Sequence, residues 1–378
     1  MKVLSIGTDR NIFKEDEARG RQTEYGRLFD ELHIIVFSRR KLGLKAQKIS
    51  ENTWIYPTGS LSRLTYVYGA KKIGEKILGN DRKSDWAITS QDPFETGLVA
   101  SHLSLISGTR LNIQVHTNFL DEHFKRLSFL NRFRVPQAIR FIENANSVRV
   151  VSEQIKNSLI SINPKSKNLS SKISVLPMFT DIEKIYQTEP QFDLHRKYPE
   201  FNFIILSVAR LEYEKNFSFG LKVFSRILKK FPKVGYVIVG EGREKIKLEK
   251  LAKRLDIESN IKFEGHQEDT ISYYKTADLY LNTSFFEGYS RSLIESAAAR
   301  CSILSTRVGP IDEVLITEKD VLTCSSSDED CFVEKIERLI SDDNFRQSLS
   351  KNAFEAVKNK AISKEEYLDR YRKAIIGY

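Results

Sequence analysis

Short apolar runs alternate with amphipathic helical patterns along nearly all of the 378 residues, and that alternation admits few folds. Residues 3–7, 33–37, 86–89, 111–116 and 147–151 read as one set of strands, and residues 203–209, 235–240, 261–265, 279–283 and 302–305 as a second. Between them, Phe219, Val223, Ile227 and Phe231 recur every four residues, and Leu248, Leu251, Ala252 and Leu255 form one stripe, as a helix with one buried face requires. Strand, helix, strand in repetition builds a parallel sheet covered on both faces. The pattern fills both halves, so it predicts two α/β domains. The polar stretch 187–200, with Pro190 and Pro199, reads as the linker. Open sheets of this kind bind ligands beyond the carboxyl ends of their strands, so two facing domains would hold a ligand in the groove between them.

Hydrophobic residues make up 40% and charged residues 29% of the chain, the balance of a soluble globular protein. No apolar run approaches the ~20 residues of a spanning helix, and the apolar start is too short for a signal peptide, so a cytoplasmic chain is expected. Cys301, Cys324 and Cys331 are odd in number and lack metal-ligand spacing, which fits reduced thiols. Asn168-Leu169-Ser170 and Asn282-Thr283-Ser284 match the glycosylation pattern and are read as chance. Charge is uneven: residues 1–190 carry 29 Lys and Arg against 20 Asp and Glu, whereas the rest is almost balanced. A basic first half suits an anionic partner such as nucleic acid or an anionic membrane, or is a solvated basic surface with no partner.

Three patterns in the second half carry chemistry. Arg210 and Lys215 lie in the loop after a strand, where two cations suit an anionic ligand such as a diphosphate, although surface cations are common in loops. Gly240-Glu241-Gly242 ends the next strand and lets the backbone turn sharply; it lacks the G-x-G-x-x-G spacing of an ordinary dinucleotide site. The strongest is the run from Glu287 to Glu295. Glu287 and Gly288 follow a strand, and the small apolar residues 293–299 read as a buried helix that carries Glu295. A loop carboxylate there can accept hydrogen bonds from sugar hydroxyls and a second from ribose hydroxyls. The helix-start amides between them can bind phosphate oxygens.

This set resembles the group 1 (family 4) retaining glycosyltransferases. The Arg-Lys pair, the Gly-Glu-Gly turn, the Glu-x7-Glu segment entering an alanine-rich helix, and the turn 305–314 stand in that family's order. The resemblance is dense over residues 203–315 and thinner over the first 185. It implies a GT-B fold, two Rossmann-like domains facing across a central cleft: an acceptor-side domain over 1–188, a donor domain over 200–360, and a C-terminal helix, 361–378, returning to the first domain. It implies that Arg210 and Lys215 grip the donor diphosphate and that Glu287 holds the transferred sugar. Gly288, Tyr289, Ser290 and Arg291 would lie close to sugar and phosphate, Glu295 would take the ribose, and Gly265 and His266 would meet the base. His116, on the strand 111–116, would sit beside the sugar.

Departures stand beside the likeness. Thr8-Asp9-Arg10-Asn11 replaces the family's glycine-rich loop, with Arg19 and Arg21 following, and Pro310 takes a usual glycine position. The implied donor is a UDP-sugar or GDP-sugar, with no cofactor and no metal. The acceptor would be a glycan or lipid-linked molecule. Asp328-Glu329-Asp330 reads as solvated surface or a helix start rather than a metal motif. Residues 124–141 mix five cations with aromatic and aliphatic side chains, as does the stretch from Arg39 to Lys48. Each suits either a packing helix with a basic outer face or docking at the inner face of an anionic membrane. A nucleotide-sugar epimerase, a phosphorylase, or a non-catalytic sugar-nucleotide-binding protein fits the same architecture. A nucleic-acid binder leaves the Glu-x7-Glu segment unexplained, so no nucleic acid is expected as a partner.

Overall fold

The computed structural model describes residues 1–14, 17–79, 85–162 and 167–377. Two compact units result: Met1–Pro177 with Ser363–Tyr378, and Met178–Ile362. Tyr378, at the end of the expected returning helix, lies outside the described residues, as do Glu15 and Asp16 in the segment that replaces the glycine-rich loop.

The first unit holds an eight-stranded sheet of β1 (Lys2–Gly7), β2 (Glu31–Val36), β3 (Gln47–Ser50), β4 (Thr53–Pro57), β5 (Trp86–Ser90), β6 (Arg110–Val115), β7 (Ser147–Val150) and β8 (Ile173–Val175). Its order is β3-β4-β2-β1-β5-β6-β7-β8, parallel except for the edge strand β3, which returns antiparallel on β4. The strands β1, β2, β5, β6 and β7 are buried along nearly their whole length, which is why they read as mainly apolar runs, with Asn112, Gln114 and Arg149 as buried polar exceptions. The helices Tyr66–Gly79, Glu95–Ser107 and Asn131–Asn144 lie beside one another, the middle one touching both others.

The helix Lys364–Ile376 completes this unit. Asn112 Nδ2 and Ser147 Oγ donate to the Ala374 carbonyl at 2.9 and 3.1 Å, and Arg110 reaches the Ile376 carbonyl at 3.1 Å. Arg149, 3% exposed on β7, donates to the Leu176 and Pro177 carbonyls, to Gln114 Oε1 at 2.8 Å and to the Tyr367 hydroxyl at 3.3 Å, with its guanidinium 5.2 Å from the Tyr371 ring. A buried cation is tolerated only when its donors are satisfied, and the returning helix supplies two of the groups that do so.

The second unit holds a six-stranded parallel sheet of β9 (Phe203–Val208), β10 (Val234–Val239), β11 (Ile261–Gly265), β12 (Leu279–Asn282), β13 (Ser302–Thr306) and β14 (Leu322–Cys324), in the order β11-β10-β9-β12-β13-β14. Alternate side chains feed two cores. Ile205, Tyr236, Ile238 and Leu281 join one, and Ile204, Leu206, Val237 and Tyr280 the other, as the two-residue period of a strand dictates.

Two expectations change here. The stretch 187–200 is not a free linker: Leu194 is fully buried, Phe192 and Tyr198 pack on the second core, and Lys197 pairs with Glu264 at 2.5 Å. Its apolar residues are too widely spaced to show a helical period, and the division falls at Pro177/Met178 instead. Cys324 and Cys331 form a disulfide rather than two free thiols; Cys301 alone is free, and buried. A short turn brings the end of β14 back against the first turn of the helix Glu329–Ser341, leaving the two Cα atoms 6.0 Å apart, within bridging range.

The turns beyond the carboxyl ends of the second sheet interlock. Leu211 N donates to the Glu241 carbonyl at 2.9 Å, Glu244 N to the Leu211 carbonyl at 2.9 Å, and Gly240 N to the Gly265 carbonyl at 2.7 Å. Gly240 has φ +139°, and a Cβ there would collide with the Ala209 carbonyl oxygen. Gly240→Ala is therefore expected to lose about 1–3 kcal/mol or more from backbone strain and collision together. Urea unfolding of the variant checks this, and an unchanged midpoint contradicts it.

Candidate active site

In the second sheet the chain runs from β9 outward to β10 and β11, then crosses back to β12 on the other side. Strand order thus reverses between β9 and β12, and at such a reversal the two departing loops frame a crevice where α/β proteins bind ligands. The loop after β9 carries Arg210 and Lys215; the loop after β12 carries Glu287.

The two loops are bonded to each other. Phe285 N donates to the Glu214 carbonyl at 2.9 Å, and Thr283 Oγ1 donates to the carbonyls of Lys215 and Asn216 at 3.1 and 3.2 Å. Lys215 Nζ then meets Glu287 Oε1 at 2.5 Å, with the two side chains 13% and 10% exposed. The same carboxylate oxygen accepts from Ser284 Oγ at 2.8 Å, and Asn282 Oδ1 on β12 accepts from Ser284 N at 3.2 Å. Two donors on one oxygen fix this carboxylate and leave Glu287 Oε2 and the remaining ammonium hydrogens of Lys215 for a ligand.

Behind Glu287 the backbone enters the helix Arg291–Ala298 through Ser290, which holds φ +54°, a left-handed conformation unusual for a side chain larger than hydrogen. The first-turn amides of a helix have no partner within it, so this start is suited to phosphate oxygens. Gly309 packs against the turn so closely that a Cβ would press on the Tyr289 carbonyl and the Ser290 side chain. The glycine this turn needs is thus present at 309, and the Pro310 carbonyl anchors the next turn by accepting from Val314 N at 2.8 Å. One turn into the helix, Glu295 pairs with Arg291 at 3.0 Å and accepts from the Tyr274 hydroxyl at 3.3 Å. Burial, and then the charge of Glu295, push that phenol well above its ordinary range and keep it a donor.

Other expected residues stand further off. Arg210 is 75% exposed and pairs with Glu214 at 3.3 Å, so the structure joins Lys215 to Glu287 and leaves Arg210 at the rim. Gly265 ends β11 at φ +70°, with the Glu241 carboxylate close to where a Cβ would stand, and His266 beside it is exposed. Sequence reasoning missed Asn282, Thr283, Ser284 and Tyr274. A signal for the first three exists, three polar residues in a row at the end of a buried strand, but the glycosylation pattern they also match conceals it. All three are buried.

In the first unit, His116 follows β6, half-buried. Desolvation, with the Arg149 and Arg21 guanidiniums adding to it, pushes its imidazole down to about 3, so it stays neutral at ordinary pH. Asp328 caps the helix Glu329–Ser341 by accepting from Cys331 N at 3.0 Å, and Glu329 and Asp330 fill its first turn.

Residues 191–356 match the family model for glycosyl transferases group 1. The chain is 24% identical over 307 residues to an uncharacterized glycosyltransferase of Methanocaldococcus jannaschii, covering 78% of this chain and 74% of that one. It is 28% identical over 293 residues to a Campylobacter jejuni α-1,4-N-acetyl-D-galactosaminyltransferase named for a diphospho-undecaprenol-linked glycan, covering 76% and 74%. Among solved structures, Anabaena HepE in complex with UDP and glucose superposes with a TM-score of 0.77 over the whole of both chains at 17% identity. The architecture is that of the GT-B enzymes, with two parallel-sheet α/β units.

The shift at His116 has a consequence for stability. Its folded value lies below the ordinary 6.5, so between those values the unfolded chain binds a proton that the folded chain refuses. The stability this group contributes is intact above pH 6.5 and is lost as pH falls from there toward 3. His116→Asn is expected to flatten part of the decline in melting temperature between pH 7 and pH 5; parallel curves for variant and parent would contradict it.

Proposed function

We propose that the chain, whose residues 191–356 match the family model for glycosyl transferases group 1, is a retaining, metal-independent enzyme that moves a sugar from a UDP- or GDP-sugar to a glycan or lipid-linked acceptor, in polysaccharide or cell-surface glycan synthesis. The carrying observation is the Lys215–Glu287 pair at the β9/β12 reversal, with a helix start directly behind it. The C. jejuni relative, named for transfer to a diphospho-undecaprenol-linked glycan, and HepE, which holds UDP and glucose, support the acceptor and donor classes.

Glycosyl transfer breaks the bond from the sugar's anomeric carbon to phosphate, leaving positive charge on the ring and negative charge on the departing diphosphate. Lys215, Arg210 and the amides following Tyr289 are assigned to that diphosphate, where their attraction grows as the bond breaks. With these cations in place, no metal is required by this scheme. Glu287 is already tied to Lys215 and Ser284, which suits a carboxylate that holds sugar hydroxyls better than one that attacks carbon. Glu295 is assigned to the ribose and the backbone at Gly265 and His266 to the base. In the first unit, neutral His116 can accept a hydrogen bond from a sugar hydroxyl.

A place at the inner face of an anionic membrane belongs to the same proposal. No helix among the described residues is long and apolar enough to cross a membrane. The helices beginning at Tyr66 and Asn131 both start at the carboxyl edge of the first sheet, and there apolar side chains stand in solvent beside cations. Leu61, Tyr68 and Leu64, the last 93% exposed, neighbour Arg39, Arg40, Arg63 and Lys72; Phe129, Leu130 and Phe133 neighbour Lys125, Arg126 and Arg132. Apolar and cationic groups alternating on one rim match an anionic lipid surface.

Lys215→Ala and Arg210→Ala are each expected to lower turnover about 10²–10³-fold with the fold retained. Nucleotide release from UDP- and GDP-sugars, with product anomeric configuration read by NMR, checks both the role and retention; full activity in either variant, or an inverted product, contradicts the matching part. For the membrane, Leu64→Glu with Phe129→Glu is expected to abolish flotation with phosphatidylglycerol vesicles and to leave UDP or GDP binding unchanged. Equal flotation with neutral vesicles, or no effect of the substitutions, contradicts it.

A further inference from the structure

We propose that the ring closed by the Cys324–Cys331 disulfide positions Lys215 through Asn216 and so makes nucleotide-diphosphate binding sensitive to thiol–disulfide exchange, an inference that rests on the donor-site assignment of Lys215 and Glu287. Asn216 is the hinge of the loop after β9. It holds φ +52° between the turn Tyr213–Lys215 and the helix Phe217–Leu228, so a small change in its setting swings the neighbouring Lys215. On one side Thr283 Oγ1 grips the carbonyls of Lys215 and Asn216. On the other, Asn216 Nδ2 donates to the Ser326 carbonyl at 3.5 Å, and Ser326 lies inside the disulfide ring. The turn that carries the candidate catalytic lysine is therefore held between the end of β12 and the ring.

The ring's two ends are anchored, Cys324 in the core and Cys331 packed against it, while the bonds of residues 325–328 other than that from Asn216 are short-range. Asp328 N donates to the Ser325 carbonyl at 3.0 Å, the Ser325 and Ser327 hydroxyls meet at 3.4 Å, and Asp328 caps the following helix. All of these are local. Across the ring's base, Lys335 Nζ reaches the Thr323 carbonyl at 2.9 Å, which ties strand to helix but does not fix residues 325–327. Opening the crosslink restores chain entropy to this exposed loop, and the long Asn216–Ser326 bond is the first contact at stake.

The chemistry is thiol–disulfide exchange. Cys331 is half-buried while Cys324 is buried, so attack is assigned to the Cys331 side. A dithiol reductant attacks there as its thiolate, the S–S bond breaks, and a mixed disulfide forms while Cys324 leaves and takes up a proton. The reductant's second thiol then displaces Cys331, and the reductant departs as a cyclic disulfide. Two electrons and two protons pass to Cys324 and Cys331, which end as thiols.

The full chain, oxidised with glutathione disulfide or reduced with dithiothreitol, tests this by hydrogen exchange across residues 214–219 and by titration with UDP and GDP. Reduction is expected to speed exchange in that segment and to weaken binding of the preferred nucleotide about 2–10-fold, the range one net hydrogen bond covers. The double variant Cys324→Ser, Cys331→Ser is expected to stay at the reduced level in both buffers. Asn216→Gly, which keeps the positive φ but lacks the amide, is expected to respond to neither. Free Cys324 and Cys331 by mass spectrometry after oxidation, or identical exchange in both states, overturns the proposal. Exchange that responds while neither nucleotide binds overturns the donor assignment and supports the coupling of ring to turn.

Discussion

A lysine and a glutamate, both nearly buried, meet at 2.5 Å where one parallel sheet reverses its strand order. Neither could occupy that place alone, because an unpaired charge removed from water costs several kcal/mol. The pair fixes how far the loop after β9 and the loop after β12 stand apart. Ser284 donates to the same Glu287 oxygen and is itself held by Asn282, while Thr283 binds the carbonyls of Lys215 and Asn216. The helix start behind Glu287 and the glycines at 240, 242 and 309 then allow the surrounding backbone to close in on the same place.

The two halves spend their polar residues differently. In the second unit Lys215, Glu287 and Ser284 pair within the crevice at the sheet's carboxyl edge. In the first unit, cations such as Arg40, Arg63, Lys125 and Arg126 stand exposed, whereas Arg149 is sunk beneath the returning helix and held by carbonyls and a tyrosine hydroxyl. The bonds that hold Arg149 come from neutral groups, and its charge contributes to keeping His116 neutral. The charge asymmetry visible in the sequence thus has two physical destinations, one solvated and one buried.

The fold was legible because buried parallel strands are mainly apolar, and ten such runs announce two sheets. Short or edge strands carry no such signature. β3 is half in solvent and antiparallel, β4 keeps one face partly open, and β8 and β14 are three residues each, so none of the four stands out in the sequence. The candidate site was legible where chemistry is concentrated in one segment, as from Glu287 to Glu295. It was illegible where the partner is distant in sequence: Tyr274 reaches Glu295 from another helix, and Thr283 braces Lys215 from just beyond β12. The disulfide escaped because six residues between cysteines say nothing until a turn folds them together. Residues 187–200 resemble a tether for a similar reason, since a few isolated apolar side chains become anchors only once a surface exists to receive them.

The return of the helix Lys364–Ile376 to the first unit has a consequence for biosynthesis. A ribosome emits residues 178–362 in full before it emits the segment that covers Arg149 and bonds Asn112 and Ser147. The nascent first unit must therefore wait, its sheet formed but one flank uncovered, while its successor is made and can fold entire. Order of emergence and order of completion are inverted, so the first half to leave the tunnel is the last to be finished.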